Sequence, residues 1–252
     1  MAAVRGEHIE GQGVSETRWR ASQQLIELPI TSLDQLLGAA TRVVVISPHP
    51  DDEVLGCGGL LAMAIAAGRQ VLIVSVTDGE AAYPLDDAWP PARLAAARRD
   101  ELRDALACLG IAPSNIVRLD AGDGQVRAGV IALGAQIADL LQPGDAVLVT
   151  YARDGHPDHE ACADAASNAA ARCRAQLIQF PVWAWHWDNP DQSQMLAAAT
   201  RLQLTPAAHA AKVQAMSAFK TQTGRVTPAL PNPILPDWAL ARFQRDLEVY
   251  LP

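Results

Sequence analysis

Val43-Val44-Val45-Ile46 runs directly into Ser47-Pro48-His49-Pro50-Asp51-Asp52-Glu53, and then into a helical pattern over residues 54–67 that ends at Gly68. Four consecutive β-branched residues suit a strand buried on both faces, where no polar side has to alternate with an apolar one. Glycine just past a helix is a common C-terminal stop. The same unit recurs along the chain. Residues 71–76, 116–119 and 146–149 are short apolar runs, and residues 177–182 read as extended. Between them, residues 93–109, 126–141 and 160–172 carry helical patterns. Short apolar strands alternating with helices imply a mainly parallel sheet covered on both faces, a Rossmann-like three-layer α/β fold. In such a sheet ligands bind beyond the carboxyl ends of the strands.

The ends of the chain read differently. Residues 1–24 are polar and contain glycine, which suggests a loosely attached arm, and Ser32 with Gln35 has the spacing of a capping box for a helix over residues 33–39. Residues 206–219 read as a helix, 227–236 as a proline-rich loop and 238–250 as a terminal helix. We therefore expect an N-terminal extension over residues 1–40 and a single domain over residues 41–252.

Composition narrows the function. The chain has 252 residues with a formal net charge of −8, 50% apolar and 19% charged. That length and apolar content support a sizeable core and exclude disorder for the bulk of the chain. An acidic balance argues against nucleic-acid and anionic-membrane partners, which favour basic patches. No apolar run approaches the ~18 residues of a membrane span, and residues 1–24 lack the apolar segment of a secretory signal. Cys57, Cys108, Cys162 and Cys173 show no CxxC spacing and read as reduced thiols. The expected location is cytoplasmic.

The chemistry concentrates at two strand ends. His49, Asp51 and Asp52 follow the first long strand, and Gly155-His156-Pro157-Asp158-His159 follows the run at 146–149. Three of the six histidines lie in these two segments. Two histidines and a carboxylate on a divalent ion, with a position left for water, make a hydrolytic site. Each segment alone is explicable as loop and cap residues, since Pro and Asp favour both. Together at the ends of neighbouring strands they are not.

In combination these segments resemble the PIG-L/LmbE family of zinc-dependent N-acetylglucosaminyl deacetylases. Thr77-Asp78-Gly79-Glu80 and Arg98-Arg99-Asp100-Glu101-Leu102 add weaker support. The likeness runs over residues 42–222. It implies a Zn²⁺ ion on His49, Asp52 and His159, with Fe²⁺ or Co²⁺ suited to the same ligands. It further implies that Asp51 is the general base, that His156 stabilises the oxyanion or protonates the leaving amine, and that Asp158 holds a histidine in its working tautomer. The implied substrate is a small amino sugar or glycoconjugate carrying an N-acetyl group. An amidase acting on another N-acyl compound, and a catalytically silent metal- or sugar-binding module, are the alternatives.

Four more residues are candidates for substrate contact. Arg98 reads either as part of a solvated, ion-paired helix face or, from the resemblance, as a hydroxyl- or phosphate-binding group at the pocket rim. Trp183, Trp185 and Trp187 alternate, so in an extended segment they share one face and could stack on a sugar ring, with His186 on the other face. Their other reading is a core or a homo-oligomer contact. Gly56, Gly58 and Gly59 do not form a dinucleotide fingerprint and read as close helix–sheet packing. Residues 219–222 depart from the family pattern, so substrate contacts are not carried over there.

Overall fold

The computed structural model describes residues 11–84, 86–224, 226–227 and 232–252. The chain opens with α1 (Glu16–Arg20), α2 (Gln23–Ile26), β1 (Ile30–Thr31) and α3 (Leu33–Leu37). It then alternates through β2 (Arg42–Ser47), α4 (Asp52–Ala66), β3 (Gln70–Ser75), α5 (Pro91–Cys108), β4 (Ile116–Arg118), α6 (Val130–Leu140), β5 (Ala146–Thr150), α7 (Pro157–Cys173) and β6 (Gln176–Phe180). The last part holds α8 (Ala184–Trp187), β7 (Thr200–Gln203), α9 (Pro206–Met216), α10 (Lys220–Thr223), α11 (Asp237–Leu240) and β8 (Leu247–Tyr250).

The five long-range strands form a parallel sheet in the order β4-β3-β2-β5-β6. Alternate residues of each strand enter different cores. Val43 and Val45 join Leu60, Leu102 and Leu106 of α4 and α5 on one face. Val44 and Ile46 join Leu133, Ile137 and the alanines of α7 on the other. This is why the strands read as continuous apolar runs. The chain steps outward from β2 through β3 to β4, then returns to place β5 on the other side of β2. The order therefore reverses between β2 and β5, and the crevice at their carboxyl ends is where such sheets bind ligands. No helix among the described residues is long and apolar enough to cross a membrane.

The structure corrects the sequence reading at several points. Residues 238–250 are not one helix. They form the short α11, a turn, and β8, which pairs antiparallel with β7 in a second sheet ordered β1-β7-β8. The apolar spacing of Trp238, Leu240, Phe243, Leu247 and Tyr250 imitates a helical stripe, and pairing with β7 overrides it. The arm is not loose either, at least from residue 11 onward; residues 1–10 lie outside the described residues. Trp19 is fully buried, stacks edge-on against Trp185 at 4.8 Å and donates its indole N–H to Trp185 O at 2.7 Å. Leu25, Leu28 and Leu37 enter the same core as α4. The capping box at Ser32 and Gln35 forms as expected. The proline-rich segment has no helix or strand in its described part, and residues 228–231 lie outside the described residues. The third correction concerns the tryptophans, taken up with the site.

Helix α4 is kinked at Cys57, whose φ of −140° and ψ of 17° leave the helical range. The glycines around it do allow close packing: a Cβ on Gly56 would lie 2.0 Å from the Phe180 ring of β6.

Candidate metal centre and active site

Three side chains converge at the reversal point of the sheet. His49 comes from the loop after β2, Asp52 from the first turn of α4 and His159 from the first turn of α7. His49 Nδ1 lies 3.2 Å from Asp52 Oδ2 and 3.2 Å from His159 Nε2. His159 Nε2 lies 3.2 Å from the same Asp52 oxygen. All three residues are buried. Bonds of ~2.0–2.1 Å in a tetrahedral shell would separate neighbouring donor atoms by about 3.3–3.4 Å, so the triangle matches three corners of such a shell.

The hydrogen bonds on the far side of each ring strengthen the match. His159 Nδ1 faces Asp154 Oδ2 at 2.7 Å. His49 Nε2 faces Asp123 Oδ1 at 3.2 Å and Asp158 Oδ2 at 3.5 Å. A carboxylate behind a neutral imidazole accepts a hydrogen bond from that ring N–H, which leaves the opposite nitrogen with its lone pair. Two ring lone pairs and a carboxylate oxygen then point at one another, an arrangement that requires a positive charge between them. Burial disfavours charged His159, but Asp52 and Asp154 outweigh it and raise its pKa to about 9. Burial likewise opposes charged His49, and Asp123, Asp158 and Asp52 hold its pKa well above the usual value. Burial would raise Asp52, yet His159 and His49 keep it well below the ordinary carboxylate range.

Asp51 is set apart from Asp52 by its backbone. Its φ of 147° and ψ of −31° fall where side-chain-bearing residues rarely sit, a conformation that costs about 1–3 kcal/mol and persists only when its surroundings enforce it. Arg98 enforces it, donating to Pro50 O at 2.8 Å, to Gly79 O at 3.0 Å and to Asp51 Oδ2 at 3.3 Å. Burial raises the Asp51 carboxyl to about 7, with Arg98 opposing. Glu53 behind it accepts from Ser47 Oγ at 2.6 Å, and burial pushes its pKa up to about 8. Glu53 also accepts the Asp51 N–H at 3.4 Å, so it braces this loop from behind.

His156 caps α7. Its Nδ1 accepts the Asp158 N–H at 3.2 Å, and its ring centre lies 4.7 Å from that of His159 and 4.9 Å from that of His49. Burial, with His159 and His49 nearby, lowers its pKa to about 2. Asp158 accepts from Gly124 N at 2.7 Å and Val126 N at 3.2 Å, so it ties the 122–126 turn to α7 while also facing His49. The cleft above these groups has a volume of about 660 Å³.

The remaining candidates separate. Arg98 is not on a solvated face: it is 3% exposed and lines the cleft beside Asp51. Its spacing of four from Leu94 and Leu102 puts it on the buried stripe of α5, and its guanidinium holds the Asp51 loop. The tryptophans do not alternate on an extended segment, because residues 184–187 are the helix α8. Trp183 lines the cleft. Trp185 is buried against Trp19, with the Arg245 guanidinium 4.2 Å over its ring. Trp187 donates its indole N–H to Asp154 O at 2.9 Å, away from the cleft lining. His186, read as facing the other way, is buried and lines the cleft.

Sequence reasoning missed Asp154 and Asp123. Asp154 is fully buried and also accepts the N–H groups of Val182, Trp183 and Ala184. A carboxylate five residues before His159 was the available signal, but it fits no fixed spacing rule. Asp123 sits in a glycine-bounded turn that carries no mark of its own.

The fold and this site define a doubly wound α/β protein with a His₂–carboxylate centre at its ligand crevice. The chain belongs to the PIG-L family: the family profile described as PIG-L, GlcNAc-PI de-N-acetylase, matches residues 44–170. It is 31% identical over 185 residues, covering 62% of this chain and 60% of the relative, to the 1D-myo-inositol 2-acetamido-2-deoxy-alpha-D-glucopyranoside deacetylase of Rhodococcus erythropolis. It is 32% identical over 176 residues, covering 57% and 58%, to deacetylase 1 of that same name from Saccharopolyspora erythraea. The chain thus spans about 60% of the length of these relatives. Among solved structures, that of the A40926 pseudoaglycone deacetylase Dbv21 superposes with a TM-score of 0.58 at 28% identity, covering 72% of this chain and 82% of the other.

Proposed function

We propose that this protein is a metal-dependent hydrolase that removes the N-acetyl group from an N-acetylglucosamine-type sugar or conjugate. The observation that carries the reading is the triangle of donor atoms, each side 3.2 Å, with every ligand histidine backed by a carboxylate. His49, Asp52 and His159 would hold the ion, Zn²⁺ by preference, with Fe²⁺ or Co²⁺ compatible. When bound, the ion polarises the acyl oxygen and acidifies a water.

The chain's own residues do the rest. Asp51 accepts the proton of the attacking water; its strained backbone and Arg98 keep it out of the ligand triangle. His156 uses Nδ1 to accept the Asp158 N–H, so its proton sits on Nε2. That N–H is a donor for the oxyanion that develops as the amide carbon becomes tetrahedral, a contribution worth ~10²–10³ in rate. The family relatives named above are deacetylases of amino-sugar compounds, which supports the same reaction here. Four unpaired cysteines suit a reducing compartment such as the cytoplasm.

The test is direct. Purified protein with its metal measured should release acetate and free amine from a panel of N-acetylated sugars, lose that activity on chelation and regain it with metal. Full amidase activity in metal-free protein would overturn the proposal.

A further inference from the structure

The helix layer of α6 and α7 carries a groove that the proposed reaction does not use. Its volume is about 440 Å³, and it is lined by Val130, Ile131 and Gly134 of α6 and by Asp164, Asn168 and Arg172 of α7. None of these residues lines the active-site cleft. Ile131 is 88% exposed, more than any other large apolar side chain among the described residues. A single exposed isoleucine is ordinary; one that forms the edge of a groove marks a surface that something can cover.

Two features of the groove point to its occupant. The first is Gly134, inside α6. Glycine within a helix costs about 0.5–1 kcal/mol relative to alanine. The fold of one copy does not require it: a Cβ there would meet Ala165 O at 3.6 Å and Ala165 Cα at 3.8 Å, ordinary contact distances. The missing methyl deepens the groove instead. The second feature is the placement of charge. Asp164 and Arg172 lie four residues to either side of Asn168, and all three are exposed on α7. At 1.5 Å per residue, each charge sits about 6 Å along the helix from Asn168. Arg172 makes no ion pair among the described residues. Asp164 pairs with Arg127, and both side chains are about half exposed.

We propose that this face is the interface of a two-fold dimer, in which α7 packs antiparallel against α7 of a second copy with the axis at Asn168. The operation that brings Asn168 to the second copy's Asn168 sets Asp164 opposite the second copy's Arg172, and Arg172 opposite the second copy's Asp164. A two-fold interface has to be self-complementary in this way. A strongly acidic or basic partner would match one of the two charges and repel the other, whereas a second copy matches both. The same contact covers Ile131 on each copy and fills the groove over Gly134. Helices of 11 and 17 residues are about 17 and 26 Å long. Side by side at about 10 Å they offer a few hundred Å² per copy. That is the low end of specific interfaces, so the dimer should dissociate in the micromolar range.

Sedimentation velocity of the full chain from about 1 to 300 μM tests this. The wild type should pass from monomer to dimer across that range. Asp164→Arg and Arg172→Asp each set like charges against one another at both ends of α7, and each should raise the dissociation constant about tenfold or more. An equimolar mixture of the two variants should dimerise again, because every contact then pairs an arginine with an aspartate. Bulk attraction does not account for that rescue: from the wild-type charge of −8, the variants carry −8 + 2 = −6 and −8 − 2 = −10. Ile131→Glu should also stay monomeric, and its thermal midpoint at low concentration should match the wild type, because the position is exposed in one copy. A wild type that remains monomeric to the top of the range would overturn the proposal. So would association undiminished in Ile131→Glu, or a mixture no more associated than its two components.

Discussion

Replacing Asp154 with asparagine tests the site where the structure adds most to the sequence. The Asp154 carboxylate takes hydrogen bonds at both oxygens. Oδ1 accepts from Val182 N at 2.9 Å and Ala184 N at 3.0 Å, and Oδ2 accepts from Trp183 N at 2.9 Å and faces His159 Nδ1 at 2.7 Å. An amide keeps one oxygen and turns an NH₂ toward the other pair of donors. Whichever way it turns, two N–H groups lose their acceptor in a fully buried position, at about 1–3 kcal/mol each. His159 also loses the charge behind its Nδ1, and a charge-assisted bond is roughly twice as strong as a neutral one. Loss of such a supporting carboxylate ordinarily weakens metal binding ~10–100-fold. The Asp154→Asn protein should therefore hold metal about that much more weakly in competition with a chromogenic chelator. Its thermal midpoint should also rise less on adding metal than that of the wild type. Wild-type metal affinity in Asp154→Asn, together with a loss in Asp158→Asn, would refute the reasoning and return the tautomer-holding role to Asp158 alone.

Asp51→Asn should retain the metal and lose ~10²-fold or more in kcat, the scale of general-base loss; metal loss there, with metal kept in Asp52→Asn, would mean that the two aspartates exchange roles. Thiol labelling at pH 8 should modify Cys108 and Cys173 in the folded protein and all four cysteines after unfolding. Cys57 and Cys162 are buried, and burial holds both thiols protonated well above their usual pKa. Lys212→Met removes one partner of a buried pair, Lys212 Nζ to Glu248 Oε1 at 2.8 Å, and urea unfolding should show a loss of about 3–5 kcal/mol. A loss below about 1 kcal/mol would mean that Gly59 N, Leu60 N and the Tyr250 hydroxyl satisfy Glu248 without the lysine.

The central sheet was legible because its strands are buried on both faces. Val43 to Ile46 has no polar alternation to confuse it with a helix, and the glycines and prolines between units mark the ends. The C-terminal strand was not legible, for the opposite reason. Glu248 in the middle of β8 looks like a solvent-facing residue. It is buried because it accepts the Gly59 and Leu60 N–H groups just past the kink of α4, where a broken helix leaves donors unmet. That partnership joins residues 189 and 188 positions apart, and no local pattern carries it. The alternating tryptophans failed similarly. Alternation places residues on one face only if the backbone is extended, and the three N–H groups of residues 182–184 turn inward to Asp154 instead.

At the site, the short-range part was readable and the long-range part was not. His49 with Asp52, and His156 with His159, announce themselves by spacing within one loop and one helix turn. What makes them a centre is the reversal of strand order between β2 and β5, which brings His49 Nδ1 and His159 Nε2 to 3.2 Å across 110 residues. The same geometry explains how two adjacent aspartates can sit in different surroundings. Asp52 lies inside the first turn of α4 and points at two imidazoles, which favour its charge. Asp51, one residue earlier, is turned aside by a φ of 147° and held by Arg98 of α5. Relaxing that backbone would swing its carboxylate off Arg98, with the ordinary stability gain of about 1–3 kcal/mol that a strained residue forgoes. The strain is therefore the structural cost of holding one carboxylate aside while its neighbour faces His49 and His159. Asp51→Gly fits the same φ without strain but takes the carboxylate from the buried Arg98 guanidinium, so it should abolish turnover without raising stability: the about 3–5 kcal/mol lost with one partner of a buried pair outweighs the about 1–3 kcal/mol of strain released. A more stable Asp51→Gly protein in urea unfolding would show that the contact between Arg98 and Asp51 contributes little to the fold.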